Sequence, residues 1–355
     1  NSDIFKYSPY KNLTQDQYQS TFEILNCLAG EQKTTTFVDG LAGTGKTILA
    51  IYLIKLLSGF HKYDVEELND LDNSLIESLS RLKGMYPKGL NVGFVVPMTS
   101  LRNTLKSVFR EIYGLSSGMV IGPGDVVKKP YDLLVVDESH RLTRRVSITN
   151  YKAFDDTNKK LGLFRDESHG TQLDWVMKSS KYQILFYDSE QSIKPADVRK
   201  ENFDRVKALS STTEVRLVSQ LRSRGGKDYI SFVERLLNCE LSLVNKSFSC
   251  MDYELIMFRS MQEMVDQLRK KEKEYGLSRM MSGYSWKWVS KDSDKSPDAV
   301  IDGVELTWNR VSVDWINSTT DATEMGCIHT VQGYDLNYAG VILVRKSPLI
   351  IKAVG

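Results

Sequence analysis

An α/β fold built on parallel sheets is predicted by three observations. The first is the segment Gly40–Thr47, GLAGTGKT, which lies between a β-branched run (Thr34, Thr35, Thr36, Phe37, Val38) and an apolar stretch from Ile48 to Ile54. That order reads as strand, glycine loop, helix. The second is a set of short apolar segments at Val92–Val96, Leu133–Val136 and Tyr182–Tyr187, the last interrupted only by Gln183. Strands buried on both faces of a parallel sheet read this way, rather than as alternating patterns. The third is that each of these segments ends in polar residues, where ligands gather in such sheets.

The glycine loop has a specific chemistry. Glycines let the backbone curl so that its N–H groups face phosphate oxygens, and the following helix adds unpaired N–H groups and a positive dipole end. Lys46 can reach the β- and γ-phosphates of a nucleoside triphosphate, and the Thr47 hydroxyl can ligate Mg²⁺. A glycine-rich turn with a surface lysine is the bland alternative. The full eight-residue match between strand and helix argues against it.

Composition sets outer limits. The chain has 355 residues, is 41% hydrophobic and 26% charged, and carries a formal net charge of +2. Two or three domains fit that length. A near-neutral total leaves room for a local basic channel and so does not exclude nucleic acid. Four scattered cysteines (Cys27, Cys239, Cys250, Cys327) lack metal or C-x-x-C spacing and read as free thiols. With no signal-like start and no apolar run of about 18 residues, no membrane association is expected, and a cytoplasmic, reducing setting is. The chain begins at Asn1 without methionine and its last residues, 346–355, look curtailed, so a part of a longer protein is expected.

In chain order, 12–28 reads as a helix with apolar Tyr18, Phe22, Leu25 and Leu28. At its start, Thr14 and Gln17 can form a capping box, or Gln17 can read an adenine edge with its carboxamide. Residues 59–90 read as a polar surface insertion carrying an acidic patch and a weak helix at 74–82. The strand at Val92–Pro97 runs into Met98, Thr99, Ser100, Leu101 and Arg102. Hydroxyls and an arginine there suit phosphate contacts; a plain strand-to-helix turn is the other reading.

Two carboxylates, Asp137 and Glu138, end the apolar strand Leu133–Val136. Such a pair is costly to leave there unless a cation waits for it. Asp137 would hold Mg²⁺ and Glu138 would orient and deprotonate an attacking water. His140 reads as structural. After the strand ending at Tyr187, Gln191 can sense the γ-phosphate through its amide. Arg222 or Arg224 can reach a γ-phosphate, or can belong to a solvated basic turn. Trp286, Trp288, Trp308 and Trp315 lie near Arg279, Lys287 and Arg310; core packing is the expected role for most, with base stacking the alternative. His329, Thr330, Gln332 and Gly333 form a polar loop before a strand at Ala339–Val344.

Taken together, these segments resemble the superfamily-one helicase and translocase core. Gln17 matches its Q motif, Gly40–Thr47 motif I (Walker A), Val95–Arg102 motif Ia, and Asp137-Glu138-Ser139-His140 motif II (Walker B). Asp188-x-x-Gln191 matches motif III, Gln220-x-Arg222 motif IV, and His329-x-x-Gln332-Gly333 motif V. The segments VVDESHRL, LGLFRDESHGTQLDWV, ILFYDSEQSIKPAD, RMMSGYSWKW and CIHTVQGYDLN look like signatures of prokaryotic helicase-like ATPases related to the C-terminal domain of Schlafen proteins. Motif VI has no match, which leaves Arg222 as the motif arginine.

The resemblance implies a P-loop NTPase of two tandem RecA-like lobes with parallel sheets, 1–201 and 202–355, with ATP between them. It implies ATP and Mg²⁺ as cofactors, single-stranded DNA or RNA as partner, and a fused or associated nuclease module. Lys46, Glu138, Gln191 and Arg222 would be catalytic. Gln17, Gly40, Ala42, Gly43, Thr44, Gly45, Lys46, Thr47, Gln332 and Gly333 would bind nucleotide. Thr47 and Asp137 would hold the metal. Pro97, Thr99, Arg102, His329 and Thr330 would touch nucleic acid. The implied activity is that of a helicase or single-strand translocase; the alternative is an ATP-binding regulatory or nucleic-acid-binding module without unwinding.

Overall fold

The computed structural model describes residues 13–30, 32, 34–62, 73–165, 168–191, 194–219, 226–238, 240, 247–250, 253–291, 296–311, 315–328, 330–331, 334–344 and 350–354. The chain divides into two compact units, Asn1–Leu221 and Arg222–Gly355.

The first unit contains strands β1 (Thr35–Gly40), β2 (Val92–Val95), β3 (Val120–Ile121), β4 (Tyr131–Val136), β5 (Phe164–Arg165), β6 (Ser168–His169), β7 (Ser180–Tyr187) and β8 (Thr212–Leu217). Six of them form one sheet in the order β3-β2-β4-β7-β1-β8, and every pairing in it is parallel. Successive side chains on a strand face opposite sides. Val38, Phe94, Val135, Ile184 and Phe186 therefore join a core beneath the helices Gln15–Ala29, Lys46–Gly59, Asn73–Met85 and Thr99–Glu111. Phe37, Val95, Leu134, Val136 and Leu185 join a second core with Phe154, Trp175 and Phe203 on the other face. Two covered faces explain why these strands are continuously apolar.

Two expected boundaries move. The first unit runs past residue 201, because β8 pairs in register with β1 (Thr35↔Thr212 to Gly40↔Leu217) and so belongs to its sheet. The expected insertion at 59–90 is partly core. Its helix, Asn73–Met85, buries Leu75, Leu79 and Leu82, and Ser78 Oγ donates to Asn26 Oδ1 at 2.6 Å on the neighbouring helix. Apolar spacing of three and four residues puts those leucines on one face. The acidic patch lies outside the described residues.

The second unit contains β9 (Ser247–Cys250), β10 (Tyr253–Met257), β11 (Ser278–Ser282), β12 (Ala299–Ile301), β13 (Val304–Trp308), β14 (Glu324–Cys327), β15 (Tyr338–Val344) and β16 (Ile350–Val354). They form one sheet in the order β12-β13-β14-β11-β15-β16-β10-β9. The inner run β13-β14-β11-β15 is parallel, as the sequence predicts, and the margins are antiparallel. One margin has a plain local cause. Asp302 and Gly303 both adopt positive φ (50° and 80°), a two-residue hairpin turn that joins β12 to β13 and allows only antiparallel pairing. The helix Met261–Tyr275 buries Met261, Met264, Val265 and Leu268 against this sheet, with Ser260 accepting from the Glu263 N–H at its start. Trp308 and Trp315 are buried; Trp286 and Trp288 are partly buried against the same core.

Asp298 anchors this core. Its carboxylate accepts from the backbone N–H groups of Val289 (2.7 Å), Ser290 (2.8 Å) and Trp308 (2.6 Å). Burial raises the carboxyl pKa, but these bonds outweigh burial and hold it below the usual range. Stability from this lowered pKa is present above the ordinary aspartate value and is lost as pH falls through the folded value. Asp298→Ala is expected to destabilise the second unit by about 3 kcal/mol, since buried donors lose a charged acceptor. Hydrogen exchange at Ser290 and Trp308 would register it as faster opening; unchanged protection would contradict the anchoring role.

Candidate nucleotide site

The register of the first sheet brings three strand ends together. Asp39 on β1 pairs with Tyr187 on β7, and Leu185 on β7 pairs with Val136 on β4. Gly40, Asp188 and Asp137 thus leave the same edge of the sheet, with β7 between the other two strands.

The glycine loop turns as its residues require. Gly43 and Gly45 adopt φ of 85° and 78°, where a side chain would be strained. A Cβ on Gly40 would meet Thr44 Oγ1 at 2.6 Å and Leu217 Cβ at 3.2 Å, so only glycine fits there. Leu41 and Ala42 are exposed at the loop tip. The helix Lys46–Gly59 starts at Gly45 without a side-chain cap, so its first N–H groups face the loop's interior. Lys46 is 5% exposed, and its ammonium donates to Gly40 O (2.5 Å), Leu41 O (3.0 Å) and Asp188 Oδ2 (3.1 Å). Gln191 Nε2 donates to the same Asp188 oxygen at 2.7 Å. Thr47 Oγ1 donates to Asp137 Oδ2 at 2.8 Å.

Glu138 follows Asp137 in a left-handed conformation (φ 46°, ψ 48°). For a non-glycine residue that costs about 1–2 kcal/mol, and it persists only where surroundings enforce it. Ser139 Oγ, which donates to Phe186 O at 2.8 Å, ties the turn to β7. Burial, then the charge of Asp137, pushes the Glu138 carboxyl up to about 7 against the pull of Lys46. His140 Nε2 lies 3.1 Å from Glu138 Oε2, in an orientation that makes no hydrogen bond. Burial, then Arg141, pushes the imidazole down to about 3, so His140 is neutral at pH 7.

Gln17 is 1% exposed and does two things at once. It closes the capping box with Thr14, whose N–H donates to Gln17 Oε1 at 3.1 Å. Its Nε2 donates to Thr44 O (3.3 Å) and Gly45 O (3.5 Å) of the glycine loop. Both carboxamide atoms are thereby engaged with backbone, and Gln17 braces the loop. Beside it, Asp16 Oδ2 accepts from the Val218 and Ser219 N–H groups at 2.8 and 2.9 Å, fixing the chain just beyond β8.

Arg102 is half-buried and holds its own turn: Nη1 donates to Val96 O (2.8 Å) and Nη2 to Thr99 Oγ1 (3.1 Å). Thr99 is exposed and Pro97 half-buried at the same edge. Thr330 Oγ1 donates to Asn309 Oδ1 at 2.7 Å in the second unit. Gln220, Arg222, His329, Gln332 and Gly333 lie outside the described residues. Reading residues alone missed Asp188 as the partner of Lys46. The available signal was an apolar strand ending in Asp, which becomes decisive only once β7 is known to lie beside β1.

A sequence profile of the Schlafen group 3 DNA/RNA helicase domain matches residues 33–347. The chain belongs to this helicase-domain family. A Saccharomyces cerevisiae protein described as uncharacterized protein YPL245W is 24% identical over 336 residues, covering 87% of this chain and 68% of the yeast protein. A solved structure of Pif1 helicases, titled for DNA unwinding at forked duplex DNA, matches with 16% identity and a TM-score of 0.29, covering 68% of this chain; this chain spans 54% of that one. Membership in the helicase-domain family therefore rests on the profile match. The fold is α/β, with a P-loop on the first, RecA-like sheet. Among the described residues, no helix is long and apolar enough to cross a membrane.

Proposed function

We propose that the chain hydrolyses ATP with Mg²⁺ and couples hydrolysis to movement along single-stranded nucleic acid. The observation that supports this reading is the meeting of Lys46, Asp188, Gln191, Thr47, Asp137 and Glu138 at one sheet edge, around a glycine loop that turns through positive φ at Gly43 and Gly45.

The residues suit Mg²⁺. Thr47 and Asp137 present two hard oxygens 2.8 Å apart, and no group of three or more His, Cys, Asp or Glu among the described residues could hold a metal by itself. That is the pattern for an ion bound by one or two protein oxygens plus phosphates. Mg²⁺ would neutralise charge on the β- and γ-phosphate oxygens.

This chain's residues would do the rest. Gly40, Ala42, Gly43, Thr44 and Gly45 wrap the phosphates, with Gln17 bracing the loop from behind. Lys46 exchanges its carbonyl partners for phosphate oxygens while staying near Asp188. Glu138 orients water and accepts its proton. Gln191, held through Asp188 to Lys46, responds to the γ-phosphate. Arg222, Gln332 and Gly333 keep in this proposal the nucleotide roles that the resemblance implies for them. Pro97, Thr99, Arg102, His329 and Thr330 likewise keep the implied nucleic-acid roles, with Arg102 acting by shaping its own turn.

The test is the ATPase rate with and without single-stranded oligonucleotide. Stimulation of several-fold is expected. Equal rates would replace the motor with a nucleotide-gated binding module.

A further inference from the structure

The C-terminal edge of the second sheet carries an exposed aromatic ring that neither the ATP chemistry nor the core accounts for. After β11 the chain passes Gly283 and presents Tyr284, whose residue is 69% exposed. An exposed tyrosine is ordinary; a braced one is not. The Tyr284 ring packs edge-to-face on Trp308, with centroids 4.9 Å apart and planes at 69°. Trp308 is 3% exposed, and its indole donates to Ser282 O at 3.3 Å. Trp288 stands edge-to-face on Trp308 from another side, at 5.3 Å. Tyr284 is thus an exposed ring fixed on the buried Trp308, which the partly buried Trp288 braces and whose backbone N–H is held by Asp298.

The surroundings are cationic. Lys287, Lys291 and Arg310 are exposed on the same two segments, and the Lys291 ammonium lies 5.7 Å over the Trp288 ring. The nearby Asp298 carboxylate is buried and taken up by three backbone donors, and the buried Glu324 carboxylate on β14 offsets Arg310 alone among the three cations. The same edge receives the loop after β14. Ser282 pairs with Cys327, the Ile328 N–H donates to Ser282 O at 3.2 Å, and Thr330 bonds Asn309, the residue after Trp308. A rigid aromatic ring beside spaced cations is the combination that binds single strands without reading sequence: bases stack and phosphates pair with the cations. A pre-ordered ring loses little freedom on binding.

We infer that Tyr284, braced by Trp308 and Trp288 on the two segments that also carry exposed Lys287, Lys291 and Arg310, is a base-stacking platform for single-stranded nucleic acid on the second unit. This rests on the proposed reading of the chain as a nucleic-acid motor, and deepens it by naming where bases are held.

The test uses the whole chain and fluorescein-labelled single strands of about 15 nucleotides, long enough to span one binding site: oligo-dT, oligo-rU and an abasic strand of equal length. Tyr284→Ala is expected to weaken oligo-dT or oligo-rU binding about tenfold, the size of one lost stacking contact. Tyr284→Phe and Tyr284→Trp should bind like the native chain. The abasic strand should bind native and Tyr284→Ala chains equally, because no base is there to stack. Lys287→Ala should weaken all three strands and reduce the salt slope by about one. A loss on dT and rU that the abasic strand does not share supports the platform. Tyr284→Ala binding dT and rU as tightly as the native chain would overturn the platform, and so would an equal loss on the abasic strand. If the native chain binds no single strand at all, the motor reading itself fails, an outcome distinct from either of these.

Discussion

Lys46→Ala is expected to abolish ATP hydrolysis and also to lower stability. Lys46 is the only cation among the described residues shown bonded to both the glycine loop and Asp188. Without it the transferring phosphoryl group loses a positioned positive charge in a water-poor site, a loss of about 10³-fold or more in turnover. The stability effect has a separate cause. The ion pair is nearly fully buried, with side chains 5% and 1% exposed. Removing one partner of a buried pair leaves the other charge without its counter-ion, at a cost of about 3–5 kcal/mol. Adding Asp188→Asn to Lys46→Ala removes that charge and keeps an acceptor for Gln191. The double variant should regain most of the stability, read by urea unfolding, and none of the ATPase. Hydrolysis that survives Lys46→Ala would sink the phosphate role. A double variant no more stable than the single would reject the buried-charge account.

Glu138→Gln should give a chain that binds ATP and barely turns it over. The substitution is nearly isosteric and leaves the Asp137–Thr47 pair in place. It removes the group that accepts the water's proton, which is worth about 10²–10⁴-fold. Single-turnover hydrolysis at saturating ATP, together with retention of labelled ATP, separates the two effects. Turnover equal to the native chain would reject Glu138 as the base.

Much of this site is legible locally. GLAGTGKT specifies its own turn, because Gly43 and Gly45 need positive φ and Gly40 has no room for a side chain. The capping box of Thr14 and Gln17 is a four-residue pattern, and it forms. What Gln17 does with its remaining amide was not legible. The loop carbonyls it holds are 27 and 28 residues away in sequence. The tryptophans show the same division. Apolar size predicts burial, correctly for Trp308 and Trp315, but composition cannot single out Tyr284 as the exposed ring that Trp308 supports.

By itself the sequence determined the kinds of element and the triphosphate loop, since both depend on short-range backbone preferences and on the period of apolar residues. It also specified the parallel character of the first sheet, because strands covered on both faces must be apolar throughout. Only the tertiary structure decided that β8 belongs to the first unit, that the helix Asn73–Met85 is core, and that Asp188 is the counter-ion of Lys46, 142 residues away. The physical reason is common to all three. Which strand lies beside which is set by the burial of whole faces, and no local preference records the order β4-β7-β1 that puts one carboxylate between the glycine loop and Asp137.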